Sequence, residues 1–102
     1  MSDTARTGTN SKIESAFRER TPGSARLYER AKKVIPAGLT HDARTLKPYP
    51  LYAARAAGPR KWDVDGNAYV DYFGGHGALL LGHGHPAVVA AIEAQARIGT
   101  HF

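Results

Sequence analysis

Three of the four histidines in the second half of the sequence lie close enough together to suggest a metal site. His83 and His85 flank Gly84, and His76 lies a short distance before them. Catalytic zinc often has three protein ligands and a water, so the number of imidazoles fits. Ligating histidines usually also have a carboxylate that orients the ring, and no acidic residue is adjacent here. We therefore predict no metal site, and we expect His85 to bond backbone groups at a helix start.

Arg44 has the chemistry for binding an anion. It lies in a polar stretch without clear periodicity, where a guanidinium can hold a carboxylate or phosphate through two parallel hydrogen bonds. His41 and Asp42 are near enough in sequence to orient it. Most arginines in such a stretch are simply solvated, so residue type and position leave both interpretations open.

No residue has the setting of a nucleophile. The sequence has no cysteine, which excludes disulfides and thiolate ligands, and it has no Gly-x-Ser-x-Gly turn. A Schiff-base lysine needs desolvation or a cationic neighbour. Lys32 and Lys33 are the one adjacent pair, and an exposed helix face explains them. We predict no catalytic residue in this chain.

The positive charge is concentrated in the first part of the chain. Residues 1–62 have 13 Lys or Arg and 5 Asp or Glu, whereas residues 63–102 have 1 and 4. Clustered cations attract nucleic acid, but these cations are scattered among acidic residues, as on solvated helix faces. Two functions other than catalysis stay open. One is a stand-alone basic module that binds nucleic acid, or that binds a metal ion through His83 and His85. The other is a non-catalytic interaction fragment. Without a signal peptide or a membrane-length apolar run, we expect a cytoplasmic protein.

The first part of the sequence predicts helices and a connecting arm. Residues 1–10 have the composition of a disordered leader. Ser11 and Glu14 form a capping pattern for a helix that ends near Arg20. A second helix is expected after Ser24 and before Pro36. The following stretch, residues 39–50, contains two prolines and is expected to be an extended arm over an active site or a subunit interface.

The second part predicts a hairpin, a bend and a helix. Strands at residues 61–64 and 67–73 are joined by Asp65 and Gly66, which both favour positive φ in tight turns, and residues 51–57 are extended. A flexible bend of glycines around His76 follows. Leu79, Leu80 and Leu81 form a short apolar run that we expect to be buried. A helix is expected from Pro86 to about Ile98.

The stretch KWDVDGNAYVDYFGGHGALLLGHGHPAVVAAI, residues 61–92, resembles the N-terminal signature of class III aminotransferases. These are pyridoxal-phosphate enzymes of fold type I. The upstream stretch LYERAKKVIPAGLTHDAR, residues 27–44, is most similar to the glutamate-1-semialdehyde aminomutase branch. The ordered set of motifs is specific, although each motif alone is weak.

The resemblance implies an α+β fragment of a fold type I transferase, with a leader at residues 1–10, helices and arm at 11–50, and hairpin and helix at 51–102. It implies that the large cofactor domain is absent and that the catalytic lysine lies outside this chain. The intact enzyme would be a homodimer that transfers an amino group between an amino acid or amine and a keto acid.

The resemblance also suggests two substrate-binding residues. Arg44 falls where the aminomutase branch has an arginine that receives the substrate carboxylate. His76 falls at a pocket position that is usually Tyr or Trp, and His41 replaces a small polar residue. These departures imply a changed substrate. No cofactor-binding or metal-binding residue is predicted in this chain.

Overall fold

The structure is a computed structural model that describes residues 7–101, including every side chain in that range except those of residues 7–10 and 42. Within this range, helices and strands follow one another in the order α1, α2, β1, β2, β3 and α3. Their bounds are Thr7–Arg20, Pro22–Ala31, Ala53–Ala57, Arg60–Asp63, Ala68–Val70 and Pro86–Ala96.

The chain divides into two compact units. The first unit contains the chain up to Ala53 together with Asp63–Asn67. The second unit contains Ala54–Trp62 and the chain from Ala68 onward. The helices α1 and α2 belong to the first unit, and α3 belongs to the second.

Helix α1 begins at Thr7, so the start predicted at Ser11 is wrong by four residues. The carboxylate of Glu14, which was expected to cap the helix start, instead accepts hydrogen bonds from the guanidinium of Arg18, the shorter at 2.7 Å. The helix ends at Arg20, as predicted, because the next residue leaves the helical region and a proline follows. Residues 1–6 of the predicted leader lie outside the described residues.

Helix α2 begins at Pro22, earlier than the start predicted after Ser24. The cause is Asp65, whose carboxylate accepts hydrogen bonds from the backbone N–H groups of Gly23, at 2.6 Å, and Ser24, at 3.0 Å. It satisfies amides that a helix start leaves without partners. A Cβ at position 23 would lie 2.6 Å from Oδ1 of Asp65, so glycine is required for this approach.

The arm at residues 39–50 packs against α1 through Tyr49, which is 5% exposed. Its ring centroid lies 5.1 Å from that of Phe17, and its hydroxyl lies 3.0 Å from Oγ1 of Thr21. Because the Thr21 hydroxyl donates its hydrogen to the carbonyl of Phe17 at 2.6 Å, the Tyr49 hydroxyl must donate to Thr21. The arm therefore supplies the buried aromatic residue of the first unit.

A hairpin joins β2 and β3, as predicted, but β2 ends at Asp63 and not at residue 64, and β3 spans Ala68–Val70 and not residues 67–73. Its loop is closed by a hydrogen bond from the backbone N–H of Asp63 to the carbonyl of Asn67, at 3.1 Å. The buried carboxylate of Asp63 accepts from the backbone N–H groups of Asp65 and Asn67. Gly66 has a φ of 87°, but Asp65 is not among the described residues with positive φ, so that prediction was wrong. A three-residue loop requires positive φ at one position only.

The second unit is built on the three-stranded sheet, in the order β1-β2-β3. Strands β2 and β3 are antiparallel, with Lys61 opposite Tyr69. Gly58, after β1, exchanges two backbone hydrogen bonds with His83, at 2.8 and 2.9 Å. Added at Gly82, a Cβ would lie 2.9 Å from the backbone of Gly58, so this crossing of two loops needs glycine.

The apolar side chains after the sheet are exposed in the second unit. The prediction that Leu79 to Leu81 are buried is wrong, since Leu80 is 92% exposed. Helix α3 starts at Pro86, as predicted, and ends at Ala96, and none of its residues is buried. The physical reason is that no layer among the described residues covers this surface. No helix in the described part of the chain is long and apolar enough to cross a membrane.

Candidate functional site

Arg44 is exposed and lies at the end of the short 3-10 turn Asp42–Arg44 in the first unit. Its Nη1 atom donates to Oγ1 of Thr40 at 2.9 Å, and its backbone N–H donates to the carbonyl of His41 at 3.0 Å. The ring of His41 accepts a hydrogen bond at Nδ1 from the backbone N–H of Ala43, at 3.1 Å. His41 thus holds the backbone of the turn, whereas Thr40 holds the guanidinium.

The guanidinium of Arg44 retains most of its hydrogen-bonding capacity. It has five N–H donors, and the described residues accept from one of them. The remaining donors include pairs that match the two oxygens of a carboxylate or phosphate. An exposed guanidinium with one fixed edge has the geometry of an anion-binding group.

His76 lies on the bend between β3 and the apolar run in the second unit, and it is exposed. Its ring centroid is 4.3 Å from that of Phe73, with the ring planes at 60°. The bend is closed by backbone hydrogen bonds of 3.0 Å from Gly77 to Phe73 and from Leu79 to Gly74. The sequence predicted a flexible bend, and the structure shows a hydrogen-bonded turn.

The backbone at His76 is strained, with a φ of 61°. Gly74, Gly75 and Gly77 around it also have positive φ, which glycine adopts without penalty. A residue with a Cβ at such an angle costs about 1 kcal/mol or more, and these positions concentrate at functional sites. The sequence carries a histidine where glycine would be more stable, which favours a functional use of its ring.

Sequence analysis missed a polar cluster centred on Asp71 in the second unit. Oδ2 of Asp71 lies 2.6 Å from Nε2 of His83, and Oδ1 lies 3.1 Å from Nζ of Lys61. Oδ1 also accepts from the backbone N–H groups of Phe73 and Gly74. Because a carboxylate only accepts hydrogen bonds, Nε2 of His83 must carry the proton.

This cluster changes the acidity of Asp71. The hydrogen bond from His83 and then that from Lys61 hold the pKa of the Asp71 carboxyl well below its ordinary value of 3.8. The side chain of Asp71 is 6% exposed, so these partners replace the water that would otherwise solvate it. The cluster ties the loop before α3 to the sheet.

The histidines do not form a metal site with other side chains in the described part of the chain, where no group of three His, Cys, Asp or Glu residues is arranged to hold a metal ion. The argument that no acidic residue orients their rings was wrong for His83, because folding brings Asp71 to it. The capping role predicted for His85 is also wrong: its side chain makes no cap hydrogen bond, and its buried Nδ1 has no described partner.

The first comparison with known proteins decides the family. The sequence model of the family described as aminotransferase class-III matches residues 41–102, which is more than half of the chain. The chain belongs to the class-III aminotransferase family. Both predicted substrate-binding residues, Arg44 and His76, lie within the matched range.

Relatives of this class-III aminotransferase chain include glutamate-1-semialdehyde 2,1-aminomutases. Aminomutase 1 of Cenarchaeum symbiosum is 52% identical over 80 residues, which are 78% of this chain and 19% of the relative. The enzyme of Methanothrix thermoacetophila is 45% identical over 76 residues, which are 74% of this chain and 18% of the relative. The chain therefore spans about a fifth of the length of the curated relatives that it matches.

Solved structures of an aminomutase and an aminotransferase share the fold of this class-III chain. A glutamate-1-semialdehyde aminomutase from Pseudomonas aeruginosa PAO1 superposes with a TM-score of 0.82 at 35% identity, over 98% of this chain and 23% of that one. A β-phenylalanine aminotransferase from Variovorax paradoxus has the same TM-score at 26% identity, over 90% of this chain and 22% of the aminotransferase. The predicted family and fold type are confirmed, and the alternative of a stand-alone basic binding module gains no support.

The lysines of this class-III chain do not fit the role of cofactor anchor. The amine of Lys32 pairs with Glu29 at 2.7 Å, and this hydrogen bond raises the pKa of Lys32, the opposite of what a Schiff-base lysine requires. The amine of Lys61 is bound to Asp71. The other three lysines of the sequence are exposed: Lys12, Lys33 and Lys47.

Proposed function

We propose that this chain contributes to the substrate site of a pyridoxal-phosphate-dependent aminotransferase or aminomutase. The observation that carries the proposal is the family match over residues 41–102, which contains an exposed arginine on a fixed turn and a strained histidine on a glycine bend. The intact enzyme would transfer an amino group between an amino acid or amine and a carbonyl compound.

In this proposal, Arg44 binds the carboxylate of the substrate. The bond from its Nη1 atom to Thr40 limits the rotation of the guanidinium, so less freedom is lost when a substrate binds. The ring of His41 supports the same turn through the backbone of Ala43. A lysine at position 44 would retain the charge but lose the paired donors.

His76 would line the substrate pocket beside the cofactor. Its ring is positioned by the bend and by Phe73, and it offers a nitrogen that donates and one that accepts. An aromatic residue without such a pair of nitrogens would favour a more apolar substrate group. We therefore propose that His76 contributes to substrate choice.

Pyridoxal phosphate is the proposed cofactor of the intact enzyme, with a homodimeric assembly and a cytoplasmic location. Two solved relatives support the cofactor: one described as a transaminase with PLP bound and a P. aeruginosa aminomutase variant in complex with PMP. Because none of the lysines described above has the setting of an anchor, the cofactor would be attached through a residue outside this chain.

The function is tested with the intact enzyme that contains this sequence, supplied with pyridoxal phosphate. A ¹⁵N-labelled α-amino acid, β-amino acid or carboxylate-free amine is incubated with pyruvate, and glutamate 1-semialdehyde is incubated alone. We expect label in alanine by mass spectrometry, or conversion of the semialdehyde into an isomer that chromatography separates from it. If no amino group moves with any of these compounds, the proposed function is wrong.

The role of His76 is tested with His76→Tyr and His76→Phe in the same enzyme. Both variants keep a ring next to Phe73, but only tyrosine keeps a hydrogen-bonding group. We expect the ratio of kcat/KM values between polar and apolar amino donors to fall most in His76→Phe. Equal ratios in all three proteins would show that position 76 does not select the substrate.

A further inference from the structure

A pocket on the first unit lies beside α2. None of its lining residues belongs to the turn that carries Arg44. It has a volume of about 350 Å³ and is lined by Gly23, Arg26, Leu27, Arg30 and Val64. Four of these residues belong to α2. Gly23 and Leu27 are four residues apart, as are Arg26 and Arg30, so the four share one face of the helix. Val64 comes from the loop between β2 and β3.

The two arginines of this pocket stand one helical turn apart with the same charge. Like charges at this spacing repel each other, and a helix is more stable when such a pair has a counter-charge. Among the described residues, neither Arg26 nor Arg30 has a hydrogen bond or ion pair. By contrast, Arg18 is bound to Glu14 and Arg44 to Thr40.

Two carboxylates that adjoin pocket residues in the sequence are already engaged. Glu29, on the same helix, pairs with Lys32 at 2.7 Å. Asp65, next to Val64 in the loop, binds the amides at the start of α2 through both of its oxygens. The two guanidiniums therefore keep their donors for an external acceptor in the pocket that they line.

We propose that this pocket binds a small anion through a phosphate or carboxylate group. Paired guanidiniums match both groups because each presents planar, parallel donors. The partly apolar wall of Leu27 and Val64 would accommodate the carbon skeleton of an organic anion. This inference goes beyond the proposed function, which uses neither Arg26 nor Arg30.

The test is an NMR titration of the 102-residue chain with inorganic phosphate and, separately, with succinate, at constant ionic strength set by sodium chloride. We expect saturable shifts of the Arg26 and Arg30 side-chain N–H signals. Phosphate binding alone identifies a phosphate site, succinate binding alone a carboxylate site, and either result supports the proposal. Loss of charge-assisted hydrogen bonds should weaken binding about tenfold or more in Arg26→Gln/Arg30→Gln.

The matched control is Arg60→Gln/Arg97→Gln, which removes the same charge from exposed positions outside the pocket. It should change the dissociation constant less than about twofold, because neither arginine lines the pocket and an exposed charge without a direct contact contributes little. Far-UV circular dichroism identifies the variants that remain folded. If a double variant does not fold, the corresponding single substitutions are titrated in its place. The proposal is overturned if neither anion gives saturable shifts, if the control weakens binding equally, or if the pocket variant changes only self-association.

Discussion

Replacing Asp65 with alanine removes both acceptors that satisfy the start of α2. The lost contacts are the 2.6 Å hydrogen bond from Gly23 and the 3.0 Å hydrogen bond from Ser24. Loss of a capping side chain costs about 0.5–2 kcal/mol, and loss of a negative charge at a helix start costs about 0.3–1 kcal/mol. Ser24 is 0% exposed, so water cannot take the place of the carboxylate. We expect the free energy of unfolding to fall by about 2 kcal/mol.

The assay is urea unfolding of the chain, followed by far-UV circular dichroism. Asp65→Asn, which keeps one acceptor but loses the charge, should give an intermediate value. Glu93→Ala is the matched control, because Glu93 is exposed on α3 and has no partner among the described residues. It should change the unfolding free energy by less than about 0.5 kcal/mol. An Asp65→Ala value as small as that of Glu93→Ala would refute the capping role.

Asp71→Asn removes the carboxyl whose pKa is depressed. The contribution of this carboxyl to stability is complete above pH 3.8 and is lost as the pH falls below that value. The unfolding free energy of the variant should therefore depend less on pH in the acid range. An unchanged slope in urea titrations at several pH values would contradict this. Ala37→Gly relieves a φ of 56° and should raise the unfolding free energy by about 0.5–1 kcal/mol; a decrease would refute the strain. Tyr49→Phe removes the hydroxyl that donates to Thr21 and should lower it by about 1–2 kcal/mol, whereas Tyr72→Phe, at a 95% exposed position, should have no effect in the same assay.

The elements that were predicted correctly depend on contacts close in sequence. The hairpin follows from Gly66 and the acidic residues around it, and α3 starts at Pro86 because proline suits the first helical position. Contacts between distant residues could not be predicted in this way. Tyr49 packs on α1 about 30 residues earlier, and the early start of α2 depends on Asp65, which follows it by more than 40 residues.

The candidate site was predicted only in part. Arg44 and His76 were proposed from the family resemblance, and their roles remain predictions. The positive φ of His76 has no sequence signal, although its position among three glycines was a hint. The contact between Asp71 and His83 was missed because the loop crossing at Gly58 brings them together, and no helical or strand spacing does so.

The central claim is that Arg44 binds the carboxylate of the substrate. It is tested most directly by measuring kcat/KM of the intact enzyme and its Arg44→Gln variant with two amino donors that differ only in a carboxylate. We expect the variant to lose about tenfold or more with the carboxylated donor, because a charge-assisted hydrogen bond is lost, and about twofold or less with the other. Equal losses with both donors would contradict the claim.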